Sequence, residues 1–430
     1  MVVLWGKMDA DALTTPFGSS IPYSEPGWYS GKTPSPYYGA SHAAFRARVR
    51  KFVAENLIPH VDRWEEECAT EGKEVDAKAI AKAAVAAGVY APQMPSDIGG
   101  TPLPDGEVFD AFHDLIWIDE LSRVGASGLI ATITLWTMAL PPILEYASER
   151  IKNMVVRPVL RGEKSISLCI SEPQAGSDVA NLRTVAEKSP DGDCYIISGQ
   201  KKWITGAMWA DYFTVAARTG GPGASGVSLF LVDAKTPGVS VRRMKLQGNW
   251  LGGTCVVTFD DVRVSASNLI GKENEGFKPL MVNFNHERFV IATQAVRQAR
   301  LCIEDAISFA KARKTFGKRL IKHDIIRQKI AAMARATEAA FAFGENLAYQ
   351  MKCGVSSSRL GGPMALYKVL GAEAMELCAR EASQILGGSS YTREGKGRRV
   401  ERMYREVRSY AIPGGSIEIL ELNAIKMARL

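Results

Sequence analysis

The segment NFNHERFVI, residues 283–291, places a carboxylate where a helix would carry apolar side chains. If the segment is helical, Glu287 shares its face with residues three, four and seven positions away, among them Leu280, Phe284 and Ile291. No Lys or Arg stands three or four residues from it. Desolvation on such a face raises the pKa of a carboxyl group and makes it a stronger base towards a carbon acid. The alternative is a structural Glu that pairs with a distant Arg or Lys.

A second candidate site lies in two segments, LCISEPQAGSDVANL (168–182) and GQKKWITGA (199–207). Main-chain amides around the Gly-Ser turn, with the hydroxyls of Ser171 and Ser177, can hydrogen-bond the polar edge of a flat heterocycle. Trp203 can supply a stacking face, and Thr205 a hydroxyl at the other edge. From the residues alone, a well-capped hairpin with a packed Trp is an equal alternative.

The signatures of several other chemistries are missing from the sequence. No GxGxxG joins a predicted strand to a helix, and GKT at 31–33 lacks the earlier glycine of a phosphate-binding P-loop. GGPGASG at 220–226 is instead interpreted as a flexible hairpin loop. The five His show no HxxxH, HExxH or paired-Cys spacing, so we expect no metal site. GxSxG does not occur.

Length and composition predict a multidomain globular protein. A chain of 430 residues is too long for one small core, and its net charge of +7 does not by itself indicate nucleic acid. The Cys are scattered singly and the N-terminal residues show neither a secretory nor a transit pattern, so we expect an intracellular protein. Residues 124–144 hold no charge, but their Thr, Gly and Pro favour a buried helix over a membrane span.

The hydrophobic periodicity divides the chain into four parts. Residues 1–40 are rich in Pro, Gly, Ser and Tyr and predict an arm that wraps a domain surface or frays. Residues 41–164 predict helices, because apolar residues recur at three- to four-residue spacing. Residues 165–275 hold short β-branched and aromatic runs, which predict the strands of a small barrel or sandwich. Residues 276–430 are again helical, so the order predicts an α+β fold of separate domains.

Five segments, in order along the chain, resemble the signature segments of the acyl-CoA dehydrogenase family of flavoproteins. They are ISEPQAGSD, KKWITGA, ARKTFGKRL (312–320), QILGGSSY (384–391) and YREVRSYAIPGGSIEI (404–419). The resemblance covers nearly everything after residue 40. It implies an N-terminal helical domain, a middle β domain and a C-terminal domain like a four-helix bundle. It also implies FAD, and a homodimer or homotetramer, because the cofactor site of this family is shared between subunits.

The resemblance assigns the flavin contacts residue by residue. Ile170, Ser171 and Ser177 would lie at the isoalloxazine, with Ser177 also at the substrate, and Trp203 and Thr205 would lie at the N5 edge. Five further residues would reach the FAD of a neighbouring subunit, with the arginine at its pyrophosphate. These five are Arg313, Phe316, Gln384, Gly387 and Gly388.

The catalytic base of this chain departs from the common family pattern. Most relatives carry a Glu in a terminal motif, and IPGGSIEI (412–419) has Gly414 at that position. A minority, like the isovaleryl-CoA and long-chain dehydrogenases, carries the base on the first long helix after the β domain, directly before an Arg. Glu287-Arg288 matches that pattern, so Glu287 is the implied base and Gly414 would offer its N–H to the substrate carbonyl. Arg288 would contact the pantetheine or diphosphate of the substrate, or form a salt bridge.

Four further positions differ from the family pattern. Asn181 stands where Gly, Ser or Ala is usual, Ser389-Ser390 where Asn-Gly is usual, and Asn285 where many relatives carry Asp. These differences concern the fine geometry around the flavin and one substrate contact. They do not argue against flavin binding.

The sequence thus predicts FAD-dependent α,β-dehydrogenation of an acyl-CoA in fatty acid metabolism, with an electron-transfer flavoprotein or O2 as acceptor. The alternatives are an acyl-CoA oxidase, desaturation of a substrate without CoA, and a flavin-containing DNA-associated protein that uses the basic segment 393–408. A membrane is not an expected partner. Nucleic acid is not expected either, because the basic residues of that segment alternate with Glu. The final residues Ala428, Arg429 and Leu430 resemble a peroxisomal address, so cytoplasm and peroxisome both stay open.

Overall fold

The computed structural model describes residues 15–428 and has the predicted order of helices, β domain and helices. Along the chain, an eight-stranded sheet follows one helical region and precedes the other. The predicted α+β fold is therefore confirmed. Residues 1–14 of the predicted arm and the last two residues of the predicted address lie outside the described range.

Residues 15–39 form an arm that wraps the helices. Trp28 and Tyr29 are buried in the main hydrophobic core. Glu25, between them and residue 15, accepts hydrogen bonds from Arg50, Arg123 and Arg297. Because these arginines come from three different parts of the fold, the arm joins the N-terminal helices to the C-terminal bundle.

The N-terminal domain is helical between residues 40 and 160, and its apolar faces pack into one core. Among residues 15–428, no single helix is long and apolar enough to span a bilayer. One pair of helices, bent by 55°, meets that test. Its residues Leu129, Ile133 and Ile143 are fully buried in the protein core. The helices are α1 (Ala40–Asn56), α2 (Ile58–Glu71), α3 (Ala77–Ala86), α4 (Ala111–Leu121), α5 (Ser127–Thr134), α6 (Trp136–Ala139), α7 (Pro141–Tyr146) and α8 (Glu149–Leu160).

The middle domain is a sheet with strand order β6-β7-β3-β2-β4-β5-β8, and β1 pairs with β4 in parallel. The two longest strands, β3 and β7, are antiparallel, and their register shifts between Lys201 and Ile204. That irregularity falls within the second predicted flavin segment. The strands are β1 (Ile166–Cys169), β2 (Val185–Lys188), β3 (Cys194–Ile204), β4 (Tyr212–Arg218), β5 (Val227–Asp233), β6 (Val239–Arg243), β7 (Cys255–Ser265) and β8 (Leu269–Ile270).

The C-terminal domain is built on three long helices that pack side by side. Close contact between two of them depends on Gly371, because a Cβ there would lie 2.9 Å from the main-chain oxygen of Ala292. A short hairpin of β9 (Lys314–Thr315) and β10 (Lys318–Arg319) projects between the first two. The helices are α9 (Phe277–Val282), α10 (Phe284–Ala312), α11 (Asp324–Lys352), α12 (Ser357–Leu386), α13 (Arg398–Ala411) and α14 (Ile417–Met427).

Candidate active site

Glu287 lies in the first turn of α10, where its side chain is half-buried. Its carboxylate forms no hydrogen bond and no salt bridge with any residue in the range 15–428. Burial raises the pKa of the Glu287 carboxyl to about 7, although the positive charges of Arg288, His286 and Lys368 act in the opposite direction. The distant Arg or Lys partner of the structural alternative is therefore not found within the described residues. A half-buried carboxylate without a partner, with a pKa near neutrality, is suited to accept a proton.

The side chain of Arg288, the next residue, connects two parts of the C-terminal domain. Its Nε donates to the main-chain oxygen of Gly414 over 3.1 Å, and its Nη1 donates to Oδ1 of Asn285 over 3.0 Å. It forms no salt bridge with a carboxylate in the described range, so nothing in residues 15–428 supports that alternative for Arg288. Contact between Arg288 and substrate stays a prediction.

The Asn at position 285 has a structural explanation. Its Nδ2 donates to the main-chain oxygen of Ser357 over 2.8 Å, while its Oδ1 accepts from Arg288. An Asp at this position would have no N–H for the Ser357 carbonyl. Asn285 thus connects the start of α12 to Arg288.

Gly414 lies in the turn between α13 and α14 and faces α10. Its φ is +69°, and a Cβ at this position would lie 3.0 Å from Cδ1 of Ile291, one turn after Glu287. The positive φ also disfavours any residue with a Cβ. The structure therefore brings Glu287, Arg288 and Gly414 together.

The first predicted flavin segment is held by a buried ion pair that the sequence reasoning missed. Lys201 donates to the main-chain oxygen of Ile170 over 3.0 Å and to Oε1 of Glu172 over 2.8 Å, and both charged side chains are buried. Glu172 also accepts the main-chain N–H of Thr184. The main-chain N–H of Lys202 donates to the oxygen of Ser171 over 2.8 Å. These bonds fix residues 170–172 against β3, so the two quoted segments form one site.

Trp203 and Thr205 present an open surface at this site. Trp203 has a φ of +70° at the register shift of β3, and its side chain is 51% exposed, so it is not the packed Trp of the hairpin alternative. The Lys202 ammonium lies 4.5 Å from the centre of the indole ring. Ser177 is exposed, and the Thr205 hydroxyl lies 3.4 Å from that of Thr254. Strained backbone is often found at ligand sites, and an exposed indole beside two hydroxyl side chains fits the flat ring of a flavin.

The residues predicted to reach a neighbouring subunit lie at one end of the C-terminal bundle. Phe316, at the tip of the β9–β10 hairpin, is 97% exposed with a φ of +50°. Arg313 in that hairpin region is exposed, as are Gln384, Gly387 and Gly388 at the end of α12. Leu320 packs against the hydrophobic cluster that contains Leu386, so the hairpin region and the end of α12 lie at the same end of the bundle. Within residues 15–428, no hydrogen bond joins them to the group at Ile170 and Trp203.

Ser390 stabilises the turn after α12. Its hydroxyl lies within hydrogen-bond distance of the main-chain oxygens of Ser383 (3.0 Å) and Gly387 (2.9 Å), to one of which its single proton is donated, and the residue is buried. The Ser that replaces the usual Gly thus caps the helix end beside Gly387 and Gly388. Its neighbour Ser389 is exposed.

A segment of the N-terminal domain contacts both the flavin segments and the start of α10. A Cβ on Gly206, next to Thr205, would overlap the Leu135 side chain, at 2.3 Å from its Cδ2. Nδ2 of Asn283 donates to the main-chain oxygen of Thr137 over 2.8 Å. Residues 135–137 therefore lie between the predicted flavin site and the helix that carries Glu287.

A cavity of about 470 Å³ lies beside the first flavin segment. Its lining includes Arg218, whose guanidinium donates to the main-chain oxygens of Ala180, Leu182, Gly221 and Gly223. No carboxylate in the described range forms a salt bridge with Arg218, so its charge is not neutralised. The interpretation of residues 220–226 as a flexible hairpin loop is thus incomplete, because Arg218 anchors this loop. The lining residues are Asn181, Leu182, Arg183, Arg218, Gly220, Gly221 and Pro222.

Three possible metal ligands meet in the structure, and one of them, His42, is distant in the sequence from Asp110 and His113. One ligand atom each of His42, Asp110 and His113 lies within 4.8 Å of the others. Asp110 caps α4 through the main-chain N–H groups of Phe112 and His113, and Lys352 forms a salt bridge with its other oxygen. These bonds show that the Asp110 carboxylate serves as a helix cap. The Lys352 ammonium beside it disfavours the binding of a metal cation at this place.

Comparison with known proteins finds matches to all three domains of the chain. Models of the acyl-CoA dehydrogenase N-terminal, middle and C-terminal domains match residues 39–163, 167–262 and 274–429. The chain is 38% identical over 420 residues to acyl-CoA dehydrogenase apdG of Emericella nidulans, with 94% of each chain covered. It is also 38% identical to acyl-CoA dehydrogenase AFT10-1 of Alternaria alternata, covering 94% of this chain and 95% of that one. The crystal structure of acyl-CoA dehydrogenase from Geobacillus kaustophilus superimposes with a TM-score of 0.84 at 28% identity, covering 92% of this chain and 100% of that chain. The chain therefore belongs to the acyl-CoA dehydrogenase family, whose enzymes are FAD-dependent oxidoreductases.

Proposed function

We propose that this protein removes one hydrogen from each of the α and β carbons of an acyl-CoA thioester, with Glu287 as the base. The observation that carries this proposal is the Glu287 carboxylate, which is half-buried, has no partner among the described residues and has a pKa near 7. Gly414, at the usual position of the base, offers no side chain that could do this work. Arg288 is already bonded to Gly414 and Asn285.

Each residue of the proposed site has its own role in the reaction. The Glu287 carboxylate takes the α-proton, and burial makes it basic enough for a weak carbon acid. The N–H of Gly414 donates to no described residue and is free to polarise the thioester carbonyl, which acidifies that proton. FAD, when bound, accepts the β-hydride at N5. Ser171, Trp203 and Thr205 would hold the ring, and the Lys201–Glu172 pair fixes the segment that carries Ser171.

Two features support a CoA thioester as the substrate. The cavity beside Asn181 is lined by Arg183 and by Arg218, whose charge has no carboxylate partner within residues 15–428. Two arginines suit the phosphate groups of CoA. Residues 135–137, between the flavin segments and α10, suit a wall of the acyl pocket.

The partners follow from the family and from exposed surface. An electron-transfer flavoprotein is the proposed acceptor, because the family passes electrons to it, and O2 is the acceptor in the oxidase alternative. The exposed Phe316 hairpin supports a homodimer or homotetramer in which one subunit completes the FAD site of another. For residues 1–430 we propose an intracellular location, with the peroxisome as one candidate compartment.

The DNA-associated alternative has less support. Every arginine in the basic segment 393–408 forms a salt bridge with an acidic residue, so little positive charge is left for a phosphate backbone. The paired arginines are Arg393, Arg398, Arg399, Arg402, Arg405 and Arg408.

The test is anaerobic titration of the flavin-loaded protein with a panel of acyl-CoAs of different chain length and branching. Bleaching of the flavin by at least one thioester supports the proposal. Admission of air afterwards distinguishes the two enzyme classes, since fast reoxidation by O2 indicates an oxidase. No bleaching by any acyl-CoA, together with salt-sensitive binding to duplex DNA, would overturn the proposal.

A further inference from the structure

Lys368, in the middle of α12, is a fully buried cation that the chemistry above does not use. Its exposed fraction is 0%, and it forms no salt bridge with a carboxylate in the described range. Its Nζ donates to the main-chain oxygens of Ala411 (2.5 Å) and Gly415 (2.7 Å). Burying an ammonium group is costly unless its hydrogen bonds are replaced, so these carbonyl contacts are what holds the charge inside the protein.

Both carbonyls belong to the turn that carries Gly414. Arg288 binds the carbonyl between them in the chain, that of Gly414 itself. Two cations, one from α12 and one from α10, therefore hold three carbonyls of residues 411–415. The Ala411–Ile412 peptide before Pro413 and the Gly414–Gly415 peptide after it are therefore both held, and the Pro413–Gly414 peptide between them carries the N–H of Gly414.

The N–H groups of the two glycines in this turn are free, in contrast to its carbonyls, whereas the N–H of Ile412 donates to the main-chain oxygen of Arg408. Neither Gly414 nor Gly415 donates its main-chain N–H to a residue in the range 15–428. Positive φ values of +69° and +111° at these two residues give the turn a conformation that residues with a Cβ rarely adopt. A turn with bound carbonyls and free N–H groups can donate hydrogen bonds to a ligand oxygen.

We propose that Lys368 is a positioning residue that holds the 411–415 turn so that the Gly414 N–H meets the thioester oxygen while Glu287 takes the α-proton. The inference rests on the proposed function. It assigns Lys368 no contact with substrate or flavin. Lys368 acts through the turn, because a displaced N–H would no longer polarise the carbonyl and the α-proton would be less acidic.

Electrostatics at Lys368 agree with a charged side chain. Burial and then the nearby Arg288 lower the pKa of the Lys368 ammonium to about 8, although the carboxylates of Glu287 and Glu418 act in the opposite direction. The side chain is therefore mainly protonated at neutral pH. The competing explanation is a purely structural one, in which a cation caps the last carbonyls of α13 and contributes only stability.

The experiment compares Lys368→Met, which removes the charge and the donor, with Lys368→Gln, which keeps an N–H for one carbonyl. The exposed Lys235→Met serves as the matched control. Each flavin-loaded variant is mixed anaerobically with an acyl-CoA that bleaches the wild type, and the limiting rate and the dissociation constant are measured separately. We expect Lys368→Met to lower the limiting rate on the order of 100-fold, as a displacement of about 1 Å does, with little change in the dissociation constant.

A second probe isolates proton removal from hydride transfer. An acyl-CoA analogue with sulfur in place of the β-carbon can lose its α-proton but has no β-hydride, so a bound anion is detected by its interaction with the oxidised flavin. We expect the α-proton of this analogue to be less acidic on Lys368→Met, with Lys368→Gln intermediate. A structural role alone would lower thermal stability without changing that acidity.

The outcomes separate this inference from the proposed function. If Lys368→Met and Lys368→Gln bleach at the wild-type rate and bind an equally acidic analogue, while Glu287→Gln is inactive, the role of Lys368 is wrong and the base assignment stands. If the wild type itself is not bleached by acyl-CoAs, the proposed function has failed. Lys368→Gln retains one hydrogen bond to the turn, so it decides the question even where Lys368→Met folds poorly.

Discussion

The Arg288 side chain donates to the main-chain oxygen of Gly414 over 3.1 Å, which joins the start of α10 to a turn near the end of the chain. The two residues are more than a hundred positions apart in the chain, yet they are in direct contact. Arg288 follows Glu287 directly, and Gly414 is the residue that the family resemblance predicts at the position of the usual base. The same bond that fixes the turn therefore also fixes its distance from the carboxylate on α10.

The first prediction concerns pH. Because burial raises the pKa of Glu287 to about 7, the carboxylate form increases as the pH rises through 7. The bimolecular rate constant of flavin reduction should therefore rise about tenfold per unit below pH 7 and level off above it. Stopped-flow reduction between pH 5.5 and 8.5 measures this. A rate that levels off above pH 5 would indicate a carboxylate with an ordinary pKa and would contradict the assignment.

The second prediction concerns Gly414. Gly414→Ala should cost roughly 1–2 kcal/mol of stability, because an L-residue is strained at positive φ, and its Cβ would lie 3.0 Å from Ile291 Cδ1. The rate of flavin reduction should fall as well, since the turn moves. Thermal unfolding and stopped-flow reduction measure the two effects. Gly27→Ala is the control, since a Cβ there would meet only the Thr33 side chain, at 3.8 Å or more. Equal stability and activity of both variants would show that the turn tolerates a side chain.

The sequence predicts the residues of this site better than the contacts between them. Glu287 was identified because helical periodicity places it on an apolar face, and that argument needs only local residues. The roles of Arg288 and Asn285 depend on Gly414 and Ser357, which are distant in the chain. Such contacts follow from the packing of whole helices and leave no local pattern.

The third prediction concerns the ion pair under the first flavin segment. Lys201→Met should cost about 3–5 kcal/mol, because it leaves the buried Glu172 carboxylate without its cation. Lys188→Met, at an exposed position of the same sheet, should have little effect. Thermal unfolding of the two variants measures the difference. The double variant Lys201→Met/Glu172→Gln should recover part of the loss, and no loss in Lys201→Met would mean that the pair does not stabilise the segment.

Lys201 and Glu172 also illustrate a limit of motif reasoning. Both residues stand inside the two segments that indicate a flavin site, where the hydroxyl and aromatic side chains are the ones that predict ligand contacts. A Lys and a Glu in β segments resemble solvated residues, and only the fold shows that both are fully enclosed. Trp203 is the opposite case, since a large aromatic in a strand predicts burial and the register shift leaves it half-exposed.

The fourth prediction concerns the shared cofactor site. Arg313→Gln should weaken FAD retention roughly tenfold, because a charge-assisted contact with the pyrophosphate would be lost. Lys322→Gln, exposed just beyond the same hairpin, is the control. Flavin fluorescence after serial dilution measures release. If Arg313→Gln keeps FAD as tightly as the control does, the hairpin does not reach a cofactor.

The central claim is that Glu287 takes the α-proton, and it is tested most directly by anaerobic reduction of Glu287→Gln. The exposed Glu418→Gln, in the terminal segment where most relatives carry their base, is the matched control. We predict that an acyl-CoA which bleaches the wild type also bleaches Glu418→Gln at a similar rate. Glu287→Gln should retain its FAD and stay yellow over the same time. Reduction of Glu287→Gln at the wild-type rate would show that another group removes the proton.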